Sequence, residues 1–430
     1  MVKRGLVIFL GLLLTLQTVQ AEIVIEVTQG KQSAIPIAVV PFSWNGSTPL
    51  PEDISQIIHN DLGHSGYFRT MPVANMISRP TLVKQVNYSD WSMLRQDYVV
   101  LGRIEADPEG FAIEFHVVDV HLKAEVLRHR VKGKKSQMRD LAHYVSDYIF
   151  ENLTGIAGVF STKIVYVTTN RERTRFNLNY ADADGARERL IFSSRQPIIS
   201  PAWSPDGKTI AYVSFENGQA EIFFQELASG KRERVVAFSG SSFNSAPAFS
   251  PNGKSLAFVI SKLGNPDIYM MDIATRKVRR LTDHYAIDTE PQWDVDGQHL
   301  FFTSSRAGGP QIYRMNVNSL AVKRITFDGN YNARPRVTAD GRKLVYVYQS
   351  NGRFHIASQD LATGKVNVLT SETNLDESPS VAPNGSMVVY AASENQRSIL
   401  AAVSVDGDVK FRLPSKFGDV REPAWSPIFK

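Results

Sequence analysis

A repeat of about 44 residues fills the second half of this 430-residue chain and leaves it few folds to choose from. Proline recurs at Pro201, Pro247, Pro291, Pro335, Pro379 and Pro423, in steps of 46, 44, 44, 44 and 44 residues. Two residues after each stands a large apolar side chain: Trp203, Phe249, Trp293, Val337, Val381 and Trp425. A turn signature follows, Ser204-Pro205-Asp206-Gly207 in the first unit, then Ser250-Pro251-Asn252-Gly253, Asp294-Val295-Asp296-Gly297, Thr338-Ala339-Asp340-Gly341 and Ala382-Pro383-Asn384-Gly385. Asp or Asn followed by Gly suits a tight hairpin, because Gly accepts the positive φ the turn demands. A strand-like run such as Ile210-Ala211-Tyr212-Val213 comes next, and then a second hairpin, as in Asp267 to Asp272 leading through Ala274-Thr275-Arg276 to Leu281-Thr282. Four short strands in about 44 residues make one propeller blade.

The two ends of the array complement each other. Ile164-Val165-Tyr166-Val167 reads as the second strand of a unit with no first strand before it, and Glu422-Pro423-Ala424-Trp425 is a first strand with nothing after it. Together they make one blade, and pairing them closes the ring and removes its exposed edges. The spacing therefore predicts a six-bladed all-β propeller over residues 159–430, closed by its own N- and C-terminal strands.

Residues 22–157 lack the period and predict a separate α/β domain. Ile35 to Phe42 is a buried-strand pattern, and Pro51-Glu52-Asp53 opens a helix with Ile54, Ile57, Ile58 and Leu62 on one face. Strands are expected over Tyr98–Ile104 and Phe111–Val120. A second helix is expected over about Ser136–Leu153, with Met138, Leu141, Ala142, Val145 and Ile149 on one face and Thr154-Gly155 ending it.

Residues 1–21 read as a signal peptide, with Lys3 and Arg4 ahead of the apolar run Gly5 to Leu16, and Val19-Gln20-Ala21 at the cleavage site. The run is shorter than the roughly 20 residues a bilayer needs, so no membrane span is expected. The chain has no cysteine, which excludes disulfides, thiolate metal sites and a cysteine nucleophile, and an exported protein without cysteine suits a bacterial periplasm. The formal charge of +5 falls to +3 once Lys3 and Arg4 leave with the leader, too little to argue for a nucleic acid partner.

Catalytic signatures are missing. The chain carries no G-x-S-x-G elbow, P-loop, H-E-x-x-H or G-x-G-x-x-G fingerprint. His116, His121 and His129 come nearest to a histidine cluster, but the first two are five apart and face opposite sides of a strand. Asp206, Asp296 and Asp340 recur at the blade period and belong to turns, and Trp203, Trp293 and Trp425 recur as blade packing. No cofactor is expected, though a cation at the channel mouth stays open. Binding surface is what remains. The residues before each repeat proline, Ile199-Ser200, Ser245-Ala246, Thr289-Glu290, Ala333-Arg334, Glu377-Ser378 and Arg421-Glu422, change from blade to blade while the turns hold their pattern. Placed at the start of the inner strands, on one rim of the channel, they suit a polar protein partner.

These features together resemble the TolB family of periplasmic propeller proteins: the export signal, the opening Ile35-Pro36-Ile37-Ala38-Val39-Val40-Pro41-Phe42, the linker Leu153-Thr154-Gly155-Ile156, and six blades with Ser-Pro-Asp-Gly-type turns. The resemblance covers essentially the whole mature chain. It implies a non-catalytic, monomeric scaffold of the Tol–Pal system that binds the lipoprotein Pal at the propeller rim and TolA through its extreme N-terminus. It further implies a role in outer-membrane invagination at division, and capture by colicins. By position, the family's Pal contacts fall on Ala246, Thr289 and Glu290. Phe243 stands where the enterobacterial members carry a histidine, and Arg334, Ser378 and Arg421 complete the expected rim. The TolA segment falls on Glu22, Ile23, Val24, Ile25, Glu26 and Val27, a β-prone run that can fold back on its own protein or add to a partner's sheet edge. Two readings from other classes stay open: a periplasmic glycan lyase or hydrolase with its site in the channel, and a scaffold of another outer-membrane assembly complex.

Overall fold

The computed structural model describes residues 25–26, 34–108, 110–236, 243–262, 264–394, 397–413 and 418–429. The expected leader, and Glu22, Ile23, Val24 and Val27 of the N-terminal run, lie outside them.

The repeat folds into six four-stranded antiparallel blades. Blade one is the split one: Asp419–Trp425 forms its inner strand and pairs with Lys163–Thr169, followed outward by Phe176–Asp182 and Arg189–Ser194. Blades two to six run in sequence, each with inner strand first: 198–236, 243–280, 288–324, 332–368 and 376–413. The ring is therefore shut by strand pairing across the whole propeller, as the incomplete ends predict.

Each turn signature closes on itself. In blade two the Gly207 N–H donates to the Ser204 carbonyl at 2.9 Å, the Ser204 hydroxyl accepts from the Thr209 N–H at 2.9 Å, and Asp206 accepts from the Lys208 N–H at 3.0 Å. Gly207 has φ +69°, the left-handed value that only glycine takes without strain. The tryptophans two residues after the repeat proline tie blades together. Trp203 Nε1 donates to the Ala424 carbonyl at 2.9 Å, and Trp293 Nε1 to the Ala248 carbonyl at 3.1 Å, each reaching the inner strand of the preceding blade.

The second strand of every blade buries an aromatic ring at one repeat position: Tyr166, Tyr212, Phe258, Phe302, Tyr346 and Tyr390. Tyr212 gives its hydroxyl to Gln225 at 3.0 Å, but the Tyr346 hydroxyl is buried without a partner among the described residues, and burial pushes its pKa up. Two blades already use phenylalanine here. Tyr346→Phe is therefore expected to leave stability unchanged or raise it by up to about 1 kcal/mol, because a buried unsatisfied hydroxyl is a cost. A thermal melt checks this; a loss of more than about 1 kcal/mol would reveal a partner for the hydroxyl.

The N-terminal domain is a mixed sheet in the order Phe68–Thr70, Ile35–Val39, Tyr98–Asp107, Gly110–Asp119, Ala124–Lys134, with Ser43–Trp44 beside Tyr98–Asp107. Helix α1 (Ile54–His64) is capped by Asp53, which accepts from the Gln56 N–H at 3.1 Å. The short helix α2 spans Tyr88–Met93 and buries Trp91 on one face of the sheet, while α1 and α3 (Met138–Thr154) cover the other. Gly155, with φ +73°, ends α3. The domain docks on the turn end of blades one and six. Asp147 of α3 accepts from the Phe160 and Ser161 N–H groups at 2.7 and 3.1 Å, Asn384 Nδ2 donates to the Ala157 carbonyl at 2.8 Å, and a Cβ on Gly66 would lie 2.5 Å from Val409.

Candidate functional site

Every inner strand is broken in the same way. The ladder to the second strand slips by one residue between Ile199 and Ala202, and the same slip recurs in the other five blades. A bulge is where a strand can hold a proline, which has no N–H to give, and this accounts for the repeat proline. The residue just before it is Ser200, Ala246, Glu290, Arg334, Ser378 or Glu422, and all six are left-handed, with φ between 48° and 57°. None is glycine, so each conformation costs roughly 1–2 kcal/mol. All six line the central channel, a cavity of about 320 Å³. They sit within the strands, on the channel wall, and not at the strand starts as the sequence suggests.

Side chains at this position reach the same position one blade on. Glu290 accepts from the Arg334 N–H at 3.0 Å and from the Thr303 hydroxyl at 2.8 Å; Arg334 donates to the Ser378 hydroxyl; Glu422 accepts from the Ser200 N–H. The Arg334 guanidinium also lies 3.1 Å from Glu290 and 3.6 Å from Glu422. Burial by itself would depress its pKa, but Glu422, Glu290 and Glu377 raise it. Arg336, deeper in the wall, is pushed down to about 10 by burial and remains cationic at neutral pH. Two guanidinium groups thus face three carboxylates. No histidine lines the channel among the described residues, and Glu290 and Glu422 are engaged as acceptors. The arrangement is suited to holding a polar segment.

Apolar residues precede the inner strands. Four residues before each repeat proline stand Pro197, Phe243, Ile287, Tyr331, Leu375 and Asp419, five of them apolar, and Ile287 and Leu375 are exposed. The loops that feed the inner strands all lie at one end of the ring, and two of them carry Tyr285 and Phe327, 87% and 70% exposed. These exposed apolar groups gather on the connections into blades four, five and six, and exposed apolar groups of this kind mark a protein-binding surface.

Residues 150–429 match the TolB beta propeller domain and residues 23–126 the TolB amino-terminal domain. The chain belongs to the TolB family. The crystal structure of TolB from Acinetobacter baumannii superposes with a TM-score of 0.86 at 42% identity, covering 95% of this chain and 100% of that one. Among curated relatives, the Tol-Pal system protein TolB of Marinomonas sp. (strain MWYL1) is 51% identical over 244 residues, 56% of each chain. That of Pseudomonas aeruginosa is 49% identical over 224 residues, 51% of this chain and 52% of the relative. The chain thus spans about half the length of the curated relatives it matches.

Against this TolB architecture the expected rim residues divide. Ala246, Glu290, Arg334 and Ser378 line the channel together. Thr289 and Arg421 belong to the sheet, in register with Thr303 and Val167, and Phe243 opens its strand opposite Ser261. Of the N-terminal run, Ile25–Glu26 is described: it folds back on its own protein as a fifth strand of blade six, with Ile25 opposite Phe411 and Glu26 opposite Lys410. Sequence reasoning missed Tyr285 and Phe327, whose signal is a lone aromatic in a polar connection between blades. The three histidines of the N-terminal sheet form no cluster: His116 pairs with Glu125, His121 with Asp97, and His129 stacks on Tyr148. Two acid–histidine groupings have ligand-like spacing, Asp294/Asp296/His299 and Asp61/His143/Asp184. Each already holds an arginine, Arg314 on the first pair of acids and Arg139 on Asp184, so neither reads as a metal centre.

Proposed function

We propose that this chain is a non-catalytic, monomeric periplasmic scaffold of the Tol–Pal system. It binds the periplasmic domain of Pal at the open channel mouth, offers its N-terminal segment to TolA, and so helps the outer membrane follow the wall at division. The observation that carries the Pal reading is the set of exposed apolar groups Tyr285, Ile287, Phe327 and Leu375 on the connections into the inner strands of blades four to six, whose bulges place Glu290, Arg334 and Ser378 on the channel wall. Such a surface suits an interface with aromatic anchors at the edge of a hydrogen-bonding pocket. Relatives are named as Tol-Pal system proteins, and the strand Ile25–Glu26, paired along one edge with Lys410–Leu413 among the described residues, supports a segment that can be handed over.

Calorimetric titration with the periplasmic domain of Pal tests this reading. One-to-one saturable binding is expected, and Tyr285→Ala and Phe327→Ala should each weaken it about tenfold or more, near 1.4 kcal/mol. Leu122→Ala, an exposed apolar residue of the N-terminal domain, should leave it unchanged. Absence of binding, or equal losses in all three variants, would overturn the reading.

A further inference from the structure

The two domains meet on charge. From the N-terminal domain come Glu52 ahead of α1, Asp61 on α1, and Arg139, Asp140 and His143 on α3; blade one supplies Lys163, Asp182, Asp184 and Arg187. Arg139 pairs with Glu52 at 2.5 Å and with Asp184, Lys163 with Asp182 at 2.7 Å, and Arg187 with Asp182 at 2.7 Å and with Asp140. Five carboxylates thus face three fixed cations, and His143 sits among them with 0% exposure.

Its two nitrogens differ. Nδ1 lies 2.8 Å from Asp61 Oδ2, which also accepts from the Ser146 hydroxyl at 2.7 Å; a carboxylate only accepts, so Nδ1 carries a proton. Nε2 is buried with no hydrogen-bond partner, 3.8 Å from Asp184 Oδ2 and 3.9 Å from Asp182 Oδ2. A neutral ring would turn a bare lone pair on two carboxylates, in a fully buried place. A second proton turns the same contact into an ion pair across the domain boundary.

We propose that His143 is a proton-operated latch: charged, it ties Asp61 of the N-terminal domain to Asp182 and Asp184 of blade one, and uncharged, it loosens the docking. Burial by itself would depress the imidazole pKa, but Asp61 and Asp184 overcome that, against Arg139, and hold it above the ordinary histidine value. A group whose folded pKa is raised gives stability that is complete below the unfolded value, near 6.5, and lost as pH rises through the folded one. The other titrating groups on these faces do not supply that signal. His59 and His64 are held low by burial and stay neutral above pH 6.5, and Asp147, raised to about 6 by burial, still holds part of its proton there and is told apart by the His143→Gln variant, which leaves it in place.

The latch also reaches the N-terminal run. His64, on α1 like Asp61, stacks on Phe411 with ring centroids 4.6 Å apart, and Phe411 is the register partner of Ile25. Loosening α1 from the propeller removes one wall from the place where that strand is held. None of this depends on what the channel binds.

The chain has no cysteine, so a dye pair at Met93→Cys and Leu320→Cys, both exposed, reports the domain arrangement by single-molecule energy transfer. In the full mature chain, with His143 unaltered, a single narrow distance is expected at about pH 6.5 and a broadened one at about pH 9, with the midpoint above the usual histidine value of about 6.5. His143→Gln, which keeps a donor for Asp61 but carries no charge, should be broad at both. A flat profile with His143 present, or the same transition in His143→Gln, would overturn the latch. So would restoration of the narrow distance at high pH by zinc and its loss on chelation, which would assign a metal instead. If His143→Gln fails to fold, an NMR titration of the unaltered chain decides: a His143 midpoint below about 6.5 overturns the proposal.

Discussion

A chain cut to end at Leu413 is expected to lose its closed ring and its single cooperative melt. The missing piece is the inner strand of blade one. Val420 at 0% exposure and Trp425 leave the core, and five ladder positions against Lys163–Thr169 are lost. Trp203 loses the Ala424 carbonyl and Ser200 loses Glu422. Removing a half-buried Trp and a buried Val costs on the order of 4 kcal/mol before the hydrogen bonds are counted. That is a large share of the roughly 5–15 kcal/mol a domain has in all. The strand Lys163–Thr169, buried along nearly its whole length, would become an exposed sheet edge and a site of aggregation. Calorimetry and gel filtration should show a fall in Tm of about 10 °C or more and species larger than those of the full chain. A linear array would respond differently, losing stability in proportion to the one strand removed. A shortened chain that still melts once, within about 3 °C of the full one, would mean that this strand does not close the ring.

That closing strand was legible because a repeat is a grammar. A unit lacking its first strand at residue 164 and a first strand lacking its unit at residue 422 have one complementary solution, and the structure adopts it. What the repeat concealed is equally physical. The left-handed backbone at Glu290 or Arg334 carries no signature, since neither is glycine, and the belt that holds it runs between residues 44 apart, such as Glu290 and the Arg334 N–H. Variation at these positions read as freedom to evolve a binding site, yet part of it is a set of alternative ways to satisfy a bulged strand. The edge strand Ala124–Lys134 was missed because it alternates charge with half-buried residues: Arg128 reaches across to Glu114 and Arg130 to Glu105. His143 could not be told from any other histidine. Its partners Asp61 and Asp184 are far away in sequence, and one lies in the other domain.

Reversing the charge of Glu290 is expected to disable the channel wall, and the structure says why a simple change of sign is only part of it. Glu290 accepts from the Arg334 N–H and the Thr303 hydroxyl, so Glu290→Arg strands both donors and adds a third guanidinium beside Arg334 and Arg336. The cost to folding should be about 2–4 kcal/mol, seen in a denaturant melt. Affinity for the periplasmic domain of Pal should fall tenfold or more. Glu290→Gln separates the two causes. Its amide oxygen can still accept both bonds while the charge is gone, so stability should fall by no more than about 1 kcal/mol, and binding is expected to stay within about threefold of the parent. Strong binding by the glutamine variant and weak binding by the arginine variant would assign the effect to the shape of the wall. Equal weakening in both would assign it to the charge. Full affinity in both would remove the wall from the interface and leave the exposed apolar groups of the blade connections to carry the partner alone.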